Sequence, residues 1–163
     1  MKSRIGLIAF MIFSSAALTL AQTHIAGTAE CSGPEQVHVM RLSDQAGHFF
    51  VVSQGKCNWT KPVDIAGTHT QSDEATVSKE VLGKQAHVRG YVTETTAGGD
   101  KFSYRILGTQ VIDHGKTVSE HGHWTIVSGT GKLKGIQGKG TYTGKLQGKS
   151  MVFDLEGEYQ PAH

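Results

Sequence analysis

Residues 128–148 read SGTGKLKGIQGKGTYTGKLQG, and this stretch decides the fold. A glycine-rich turn ending at Gly138 leads into a segment in which Gly140 and Gly144 share the parity of Tyr142, while lysines and threonines take the other parity. Successive residues of a strand point to opposite faces of the sheet. The stretch therefore predicts a strand with one crowded or closely approached face and one solvated face.

Segments of period two follow one another along the rest of the chain, separated by short turns. The further segments are 25–31, 37–42, 48–54, 63–71, 75–81, 87–95, 101–112, 118–127 and 151–159. A polar loop is predicted around Cys57 and Trp59, and a break at 72–74. About eight or nine strands without a long helix predict an all-β fold, either a sandwich or a barrel. Several glycines occupy positions typical of the bends and bulges that close a sheet, and they favour a single antiparallel eight-stranded closed barrel.

The first 21 residues have the features of a cleavable signal peptide. Lys2 and Arg4 precede the apolar run 5–13, and small residues lead to a cut before Gln22. The run is too short to span a bilayer, and no later apolar run is long enough. We therefore predict an exported protein, periplasmic or extracellular, with one domain over residues 22–163 that does not span a membrane.

Cys31 and Cys57 are the two cysteines of the chain. An even number of cysteines in an exported protein favours a disulfide bond, here between these two residues. Two buried free thiols are the alternative, because free cysteine is often buried.

Two motifs in the second half resemble a known group of proteins. GGDKF at 98–102 lies in one hairpin, and the run from Trp124 to Tyr142 carries GTGKLKGIQGKGTY. Together they resemble small exported bacterial proteins of unknown function that are grouped with the allene oxide cyclase-like and dirigent-like barrels. The resemblance covers roughly Tyr91 to Tyr159. It implies an eight-stranded calycin-type barrel with a central cavity and an inward Trp124, and it assigns no catalytic residue to this sequence.

An eight-stranded barrel is just wide enough to be filled by side chains or to hold one small ligand. Aromatic side chains supply both apolar rings and hydroxyl groups for such a ligand. The residues predicted to line the lumen are Tyr91, Phe102, Tyr104, Trp124, Tyr142 and Phe153. Their rings could instead fill the barrel as core.

Glu120 is the candidate for an acid or base in the lumen. It shares parity with Trp124 and Ile126, so it points inward if they do. A carboxyl beside apolar groups has a raised pKa and suits general acid–base catalysis. Alternatively, Glu120 only rims a solvated mouth. Arg89 and Arg105 are candidates for its partners, although the default place of Arg105 is the outer face.

His121 and His123 form a H-x-H pair whose side chains share one face of a strand. Such a pair can contribute to a metal site when a third ligand is near. His114 and Glu120 are the local options, and Glu120 has the wrong parity. We therefore predict two surface histidines and no metal site.

Charge and motifs argue against several other classes of function. The net charge of +2 becomes nearly neutral once Lys2 and Arg4 are removed with the signal peptide. A stripe of lysines on the C-terminal hairpin lacks the interleaved aromatics of single-strand binders, so we predict no nucleic acid partner. The stripe comprises Lys132, Lys134, Lys139, Lys145 and Lys149. Phosphate-loop and nucleophile signatures are absent, and we predict no cofactor.

Three functions remain open from the sequence. The first is a binding protein that holds a small, mostly apolar molecule in its lumen. The second is a cyclase or isomerase that uses a lumen carboxylate, and the third is a structural barrel with a filled core. We favour the first function over an enzyme, and the sequence leaves the oligomeric state open.

Overall fold

The computed structural model describes residues 22–161, and the predicted signal peptide lies outside this range. The described chain forms ten strands and one short 3₁₀ helix, Gly131–Leu133. The strands are β1 (Thr23–Cys31), β2 (Gln36–Arg41), β3 (His48–Lys61), β4 (Asp64–Ile65), β5 (Thr68–Leu82), β6 (Gln85–Thr96), β7 (Lys101–Asp113), β8 (Lys116–Gly129), β9 (Gln137–Gln147) and β10 (Ser150–Gln160).

Pairing between β3 and β5 closes the sheet. The strand order is β2-β3-β1-β10-β9-β8-β7-β6-β5-β4, and β3 also pairs with β5. The strands β1, β3 and β5 to β10 therefore form an eight-stranded antiparallel barrel. β2 and β4 are added outside the ring, β2 along the first half of β3 and β4 at the start of β5. The predicted all-β closed barrel is confirmed, with two extra strands.

The side chains alternate between the lumen and the solvent as the period-two pattern predicts. On β7, Phe102 and Tyr104 are buried, whereas Lys101 and Arg105 are exposed. On β8, Trp124 is buried on the same inner face. Burial of these inward apolar side chains is the main force that holds such a barrel together.

Glycines of the inner face make room for aromatic rings. A Cβ at Gly140 would lie 2.6 Å from the ring of Trp124, and Gly157 is approached by the same ring. A Cβ at Gly122 would lie 2.8 Å from the ring of Tyr142. The inward parity predicted for the glycines of β9 is therefore observed, and these positions accommodate neighbouring side chains rather than leaving empty space.

One end of the barrel is filled by a core. The β8–β9 connection brings Leu133 and Ile136 against Ile65 from β4, and Leu133 and Ile65 are 1% and 0% exposed. The hydroxyl of Tyr159 accepts the backbone N–H of Ala66 at 2.9 Å. This end is therefore closed, and any open lumen must lie toward the other end.

Two predicted interruptions are wrong. Cys57 and Trp59 lie within β3 rather than in a loop, and the predicted break at 72–74 lies within β5. Asp73 is the reason for the second error, because it is a buried, inward-facing carboxyl in a segment whose composition is typical of a turn. Within residues 22–161, the structure contains no helix long and apolar enough to cross a membrane.

The predicted disulfide bond between Cys31 and Cys57 is present. It joins β1 to β3, whose ladder covers only Thr28–Cys31 of the first strand. By contrast, β9 and β10 pair along their whole lengths. The disulfide therefore reinforces a short seam of the barrel, and Cys31 and Cys57 also border its lumen.

Candidate functional site

A cavity of about 500 Å³ occupies the open half of the lumen. It lies toward the end of the barrel that carries the β7–β8 and β9–β10 turns, because its lining includes Lys116 and Gly148. Most of its surface is apolar. Side chains of this apolar wall include Ala75, Val77, Val92, Ile106, Leu146 and Phe153. The cavity contradicts the alternative of a lumen filled throughout by core side chains.

Glu120 lies in the wall of this cavity within a hydrogen-bond network. Its Oε1 accepts the Tyr142 hydroxyl at 2.7 Å, and its Oε2 accepts Nε2 of Gln110 at 2.7 Å. The Gln110 Oε1 in turn accepts the Lys79 ammonium at 3.2 Å and the Thr117 hydroxyl at 3.0 Å. Glu120 is only 6% exposed. The inward position predicted from its parity is observed, but both of its oxygens already have protein partners.

Burial sets the proton affinities in this network. Burial lowers the pKa of Lys79, and the negative charge of Glu120 partly opposes that effect. Burial also raises the pKa of Tyr142 well above its ordinary value, and Glu120 raises it further. The phenol therefore stays protonated at neutral pH and acts as a hydrogen-bond donor to Glu120.

A second polar group combines two carboxyls on neighbouring strands. Asp73 on β5 is directly opposite Glu94 on β6, and they are 6% and 0% exposed. The Glu94 oxygens accept Nε1 of Trp59 at 2.8 Å and the hydroxyl of Tyr104 at 3.0 Å. The Asp73 Oδ1 accepts the backbone N–H of Cys57 at 2.8 Å, and Asp73 lines the cavity.

Both carboxyls of this pair bind protons more tightly than usual. Burial raises the pKa of Glu94 to about 8, and the nearby charge of Asp73 contributes to the increase. Burial raises the pKa of Asp73 to about 6, although the hydrogen bond from the Cys57 N–H opposes it. At neutral pH Glu94 is mostly protonated, while Asp73 is mostly ionised and close to its titration point. A carboxyl with a pKa near neutral pH can act as a general acid or base, and Asp73 lines the cavity.

Five of the six aromatic residues predicted to line the lumen face inward, and they form two groups. Tyr104, Tyr142 and Phe153 border the cavity. Phe102 and Trp124 lie deeper, around a void of about 20 Å³ near the closed end. Their rings belong mainly to the core of the closed half.

Tyr91 does not belong to the lumen, so its prediction as a lining residue is corrected. It lies on the outer face of β6 and is 56% exposed. Arg89 shares its parity and is exposed, and Arg105 is exposed on β7. Neither arginine accompanies Glu120, whose neighbours are instead Gln110 and, through it, Lys79.

His121 and His123 lie exposed on the outer face of β8. Over residues 22–161, no group of three or more His, Cys, Asp or Glu side chains is arranged to hold a metal ion. The pair therefore has no third ligand in the part of the chain that the structure describes.

Sequence reasoning missed Lys79, Asp73 and Glu94. Lys79 and Asp73 share the parity of Ala75 and Val77 on β5, and Glu94 shares that of Val92 on β6. Lys79 and Glu94 lie within the predicted segments 75–81 and 87–95, so alternation already gives them the inward parity. Asp73 falls in the predicted break at 72–74, so it could be placed inward only if β5 were recognised as one strand. Their charge instead suggested solvent exposure, because charged groups are seldom buried without a partner.

No protein-family model matches the sequence, and no curated protein matches it. Among solved structures, the chain is similar to a pterocarpan synthase dirigent protein, with a TM-score of 0.47 and 11% identity over 94% of this chain and 98% of that one. It is also similar to a protein of unknown function from the DUF3224 family of Shewanella oneidensis MR-1, with a TM-score of 0.48 and 12% identity over 87% of this chain and 100% of that one.

Proposed function

We propose that this protein binds a small, mostly apolar molecule in the open half of its lumen. The observation that supports the proposal is the cavity of about 500 Å³ with its mainly apolar wall. Ligand pockets of proteins fall in the range of roughly 300–1,000 Å³ and combine apolar walls with a few polar groups. Here Asp73, Gln110 and the Tyr142 hydroxyl supply such groups.

A neutral apolar dye, N-phenyl-1-naphthylamine, tests the proposal by its fluorescence on binding. We expect saturable binding to the wild-type protein and at least tenfold weaker binding to Ala75→Phe, whose ring would fill the cavity. Thr76→Phe is the matched control, because Thr76 is exposed on the outer face of the same strand. Val77→Phe is a second filling variant, for use if Ala75→Phe unfolds. Absence of wild-type binding, or equal binding by filled and control variants, would overturn the proposal.

An enzyme that isomerises or cyclises the bound molecule is the second candidate. It is favoured by Asp73, a cavity carboxyl with a pKa of about 6 beside the buried carboxyl of Glu94. Glu120, the candidate from the sequence, is less suited because both of its oxygens accept hydrogen bonds from the protein. Removing a general acid–base group typically slows a reaction by roughly 10²–10⁴-fold.

The molecule released from native protein serves as substrate in the test of this second candidate. Wild-type protein should convert it to a product of altered chromatographic retention, and Asp73→Asn should do so at least about 100-fold more slowly. Glu158→Gln, on the exposed outer face of β10, is the control. Recovery of the molecule unchanged from the wild-type protein would leave binding as the function.

A further inference from the structure

Three lysine side chains border the open cavity without an acidic partner. Lys79, Lys116 and Lys149 all contribute to its lining. Among residues 22–161, no carboxylate oxygen lies within 4.0 Å of the ammonium group of any of them. Lys56 also borders the cavity, but its Nζ is 3.5 Å from Oε1 of Glu35. The three lysines therefore present positive charge that nothing in the described chain pairs directly.

These lysines come from different elements that meet at the mouth of the barrel. Lys79 lies near the end of β5, Lys116 begins β8, and Lys149 lies in the β9–β10 turn. Gln110 accepts hydrogen bonds from both Lys79 and Thr117, the neighbour of Lys116. Because the Gln110 side chain accepts both hydrogen bonds, Lys79 from β5 and the start of β8 lie close together in the cavity wall.

The acidic side chains of the lining do not neutralise this mouth. The charge of Glu120 acts on Lys79 across Gln110 without a direct ion pair, and a single carboxylate can balance at most one of the three lysine charges. Asp73 lies about 20 Å from Lys79 along β5, at a rise of about 3.3 Å per residue. One end of the cavity is thus cationic, and the wall between the two ends includes Ala75 and Val77.

Lys79 is partly buried, and this favours the binding of an anion beside its ammonium group. Burial lowers the pKa of Lys79, which means that its charged form is poorly solvated in the free protein. An anion beside the ammonium group would favour that charged form. Hydrogen bonds between ammonium and carboxylate groups are also stronger when water is partly excluded.

We propose that Lys79, Lys116 and Lys149 form a subsite for an anionic head group, so that the ligand is an anionic amphiphile. Its acidic group lies at the mouth among the lysines, and its apolar body lies along the inner wall. The subsite rests on the proposed binding function and narrows the ligand class. The chemistry required is a carboxylate or a similar singly charged oxyanion.

Calorimetric titration with decanoate and with 1-decanol tests the subsite, because the two probes share one apolar chain and differ in head group. We expect decanoate to bind roughly tenfold more tightly than decanol at low salt, and this preference to shrink as ionic strength rises. Each of Lys79→Gln, Lys116→Gln and Lys149→Gln should weaken decanoate binding by about threefold to fivefold and leave decanol binding unchanged. Lys145→Gln, on the exposed outer face of β9, is the matched control.

The outcomes distinguish the subsite from the binding function. Equal binding of both probes would overturn the subsite while keeping the binding function. If a triple variant that carries Lys79→Gln, Lys116→Gln and Lys149→Gln still binds decanoate more tightly than decanol, the assignment to these residues is overturned. Failure of both probes, together with failure of the neutral dye, would overturn the binding function and the subsite with it. The triple variant must retain the unfolding temperature of the control for these comparisons.

Discussion

At the residue scale, the least expected group is Glu94. It is 0% exposed, it has no cationic partner among the described residues, and its only protein donors are Trp59 and Tyr104. Such a carboxyl is stable in the core chiefly in its protonated form, because an isolated buried charge is costly. The consequence is a dependence of stability on pH that can be measured.

Glu94→Gln tests that consequence. The pKa of Glu94 rises from 4.5 to about 8 on folding, so between these values the folded state holds a proton that the unfolded state has released. The free energy of unfolding of the wild-type protein should therefore fall as pH rises through this range, by about 1 kcal/mol between pH 6 and pH 7. For Glu94→Gln, the free energy of unfolding measured in urea should change much less with pH. A wild-type protein that is equally stable at both pH values would contradict the assignment.

Gly140 gives a second prediction at this scale. A Cβ there would collide with the carbonyl of Glu156 and lie 2.6 Å from the ring of Trp124. We expect Gly140→Ala to lower the free energy of unfolding by about 1–3 kcal/mol, the usual cost of overpacking. Gly33→Ala is the control, because a Cβ at Gly33 has no neighbour within 4 Å. Equal stability of the two variants in urea unfolding would mean that this wall of the barrel is not closely packed.

At the scale of elements, the seam between β1 and β3 depends most on a covalent link. Its ladder covers the last residues of β1 only, and the disulfide of Cys31 and Cys57 lies at its end. The same disulfide lies beside Asp73, whose carboxyl accepts the N–H of Cys57. Loss of the link should therefore affect both the closure of the barrel and the wall of the cavity.

The double variant Cys31→Ser, Cys57→Ser tests the seam. In the chain-entropy model, a disulfide with a sequence separation of 26 stabilises the folded state by about 3.5 kcal/mol. We expect a loss of that order in chemical unfolding, and amide hydrogen exchange that increases in β1 and β3 before β7 and β8. Ser32→Ala, an exposed neighbour, is the control. Uniformly increased exchange across all strands would show that the seam has no special weakness.

The elements that the sequence predicted well are the hairpins from β6 to β10. Their alternation is regular, and glycine-containing turns such as 97–100 mark their ends. β3 and β5 were divided wrongly because polar residues such as Asp73 interrupt the pattern while still facing inward. The same reason explains the site: Glu120 could be placed by parity, whereas the pair of Asp73 and Glu94 depends on a register that a single sequence does not reveal.

At the scale of the whole molecule, the barrel divides into two halves of different character. Aromatic and aliphatic side chains around Trp124 and Leu133 fill the closed half. The open half keeps a cavity of about 500 Å³ whose mouth carries lysines and whose inner wall is mainly apolar. This division is why closure of the fold leaves a cavity in one half of the barrel, and it matches the amphipathic ligand that we propose.

Native mass spectrometry of protein isolated from its own host tests the proposed binding most directly. We expect a reproducible additional mass on the wild-type protein that is absent from Ala75→Phe and retained by Thr76→Phe. Gentle collisional activation should release it as a small molecule of constant mass across preparations. A wild-type protein that carries no such mass, or a filled variant that carries the same one, would contradict a ligand in the lumen.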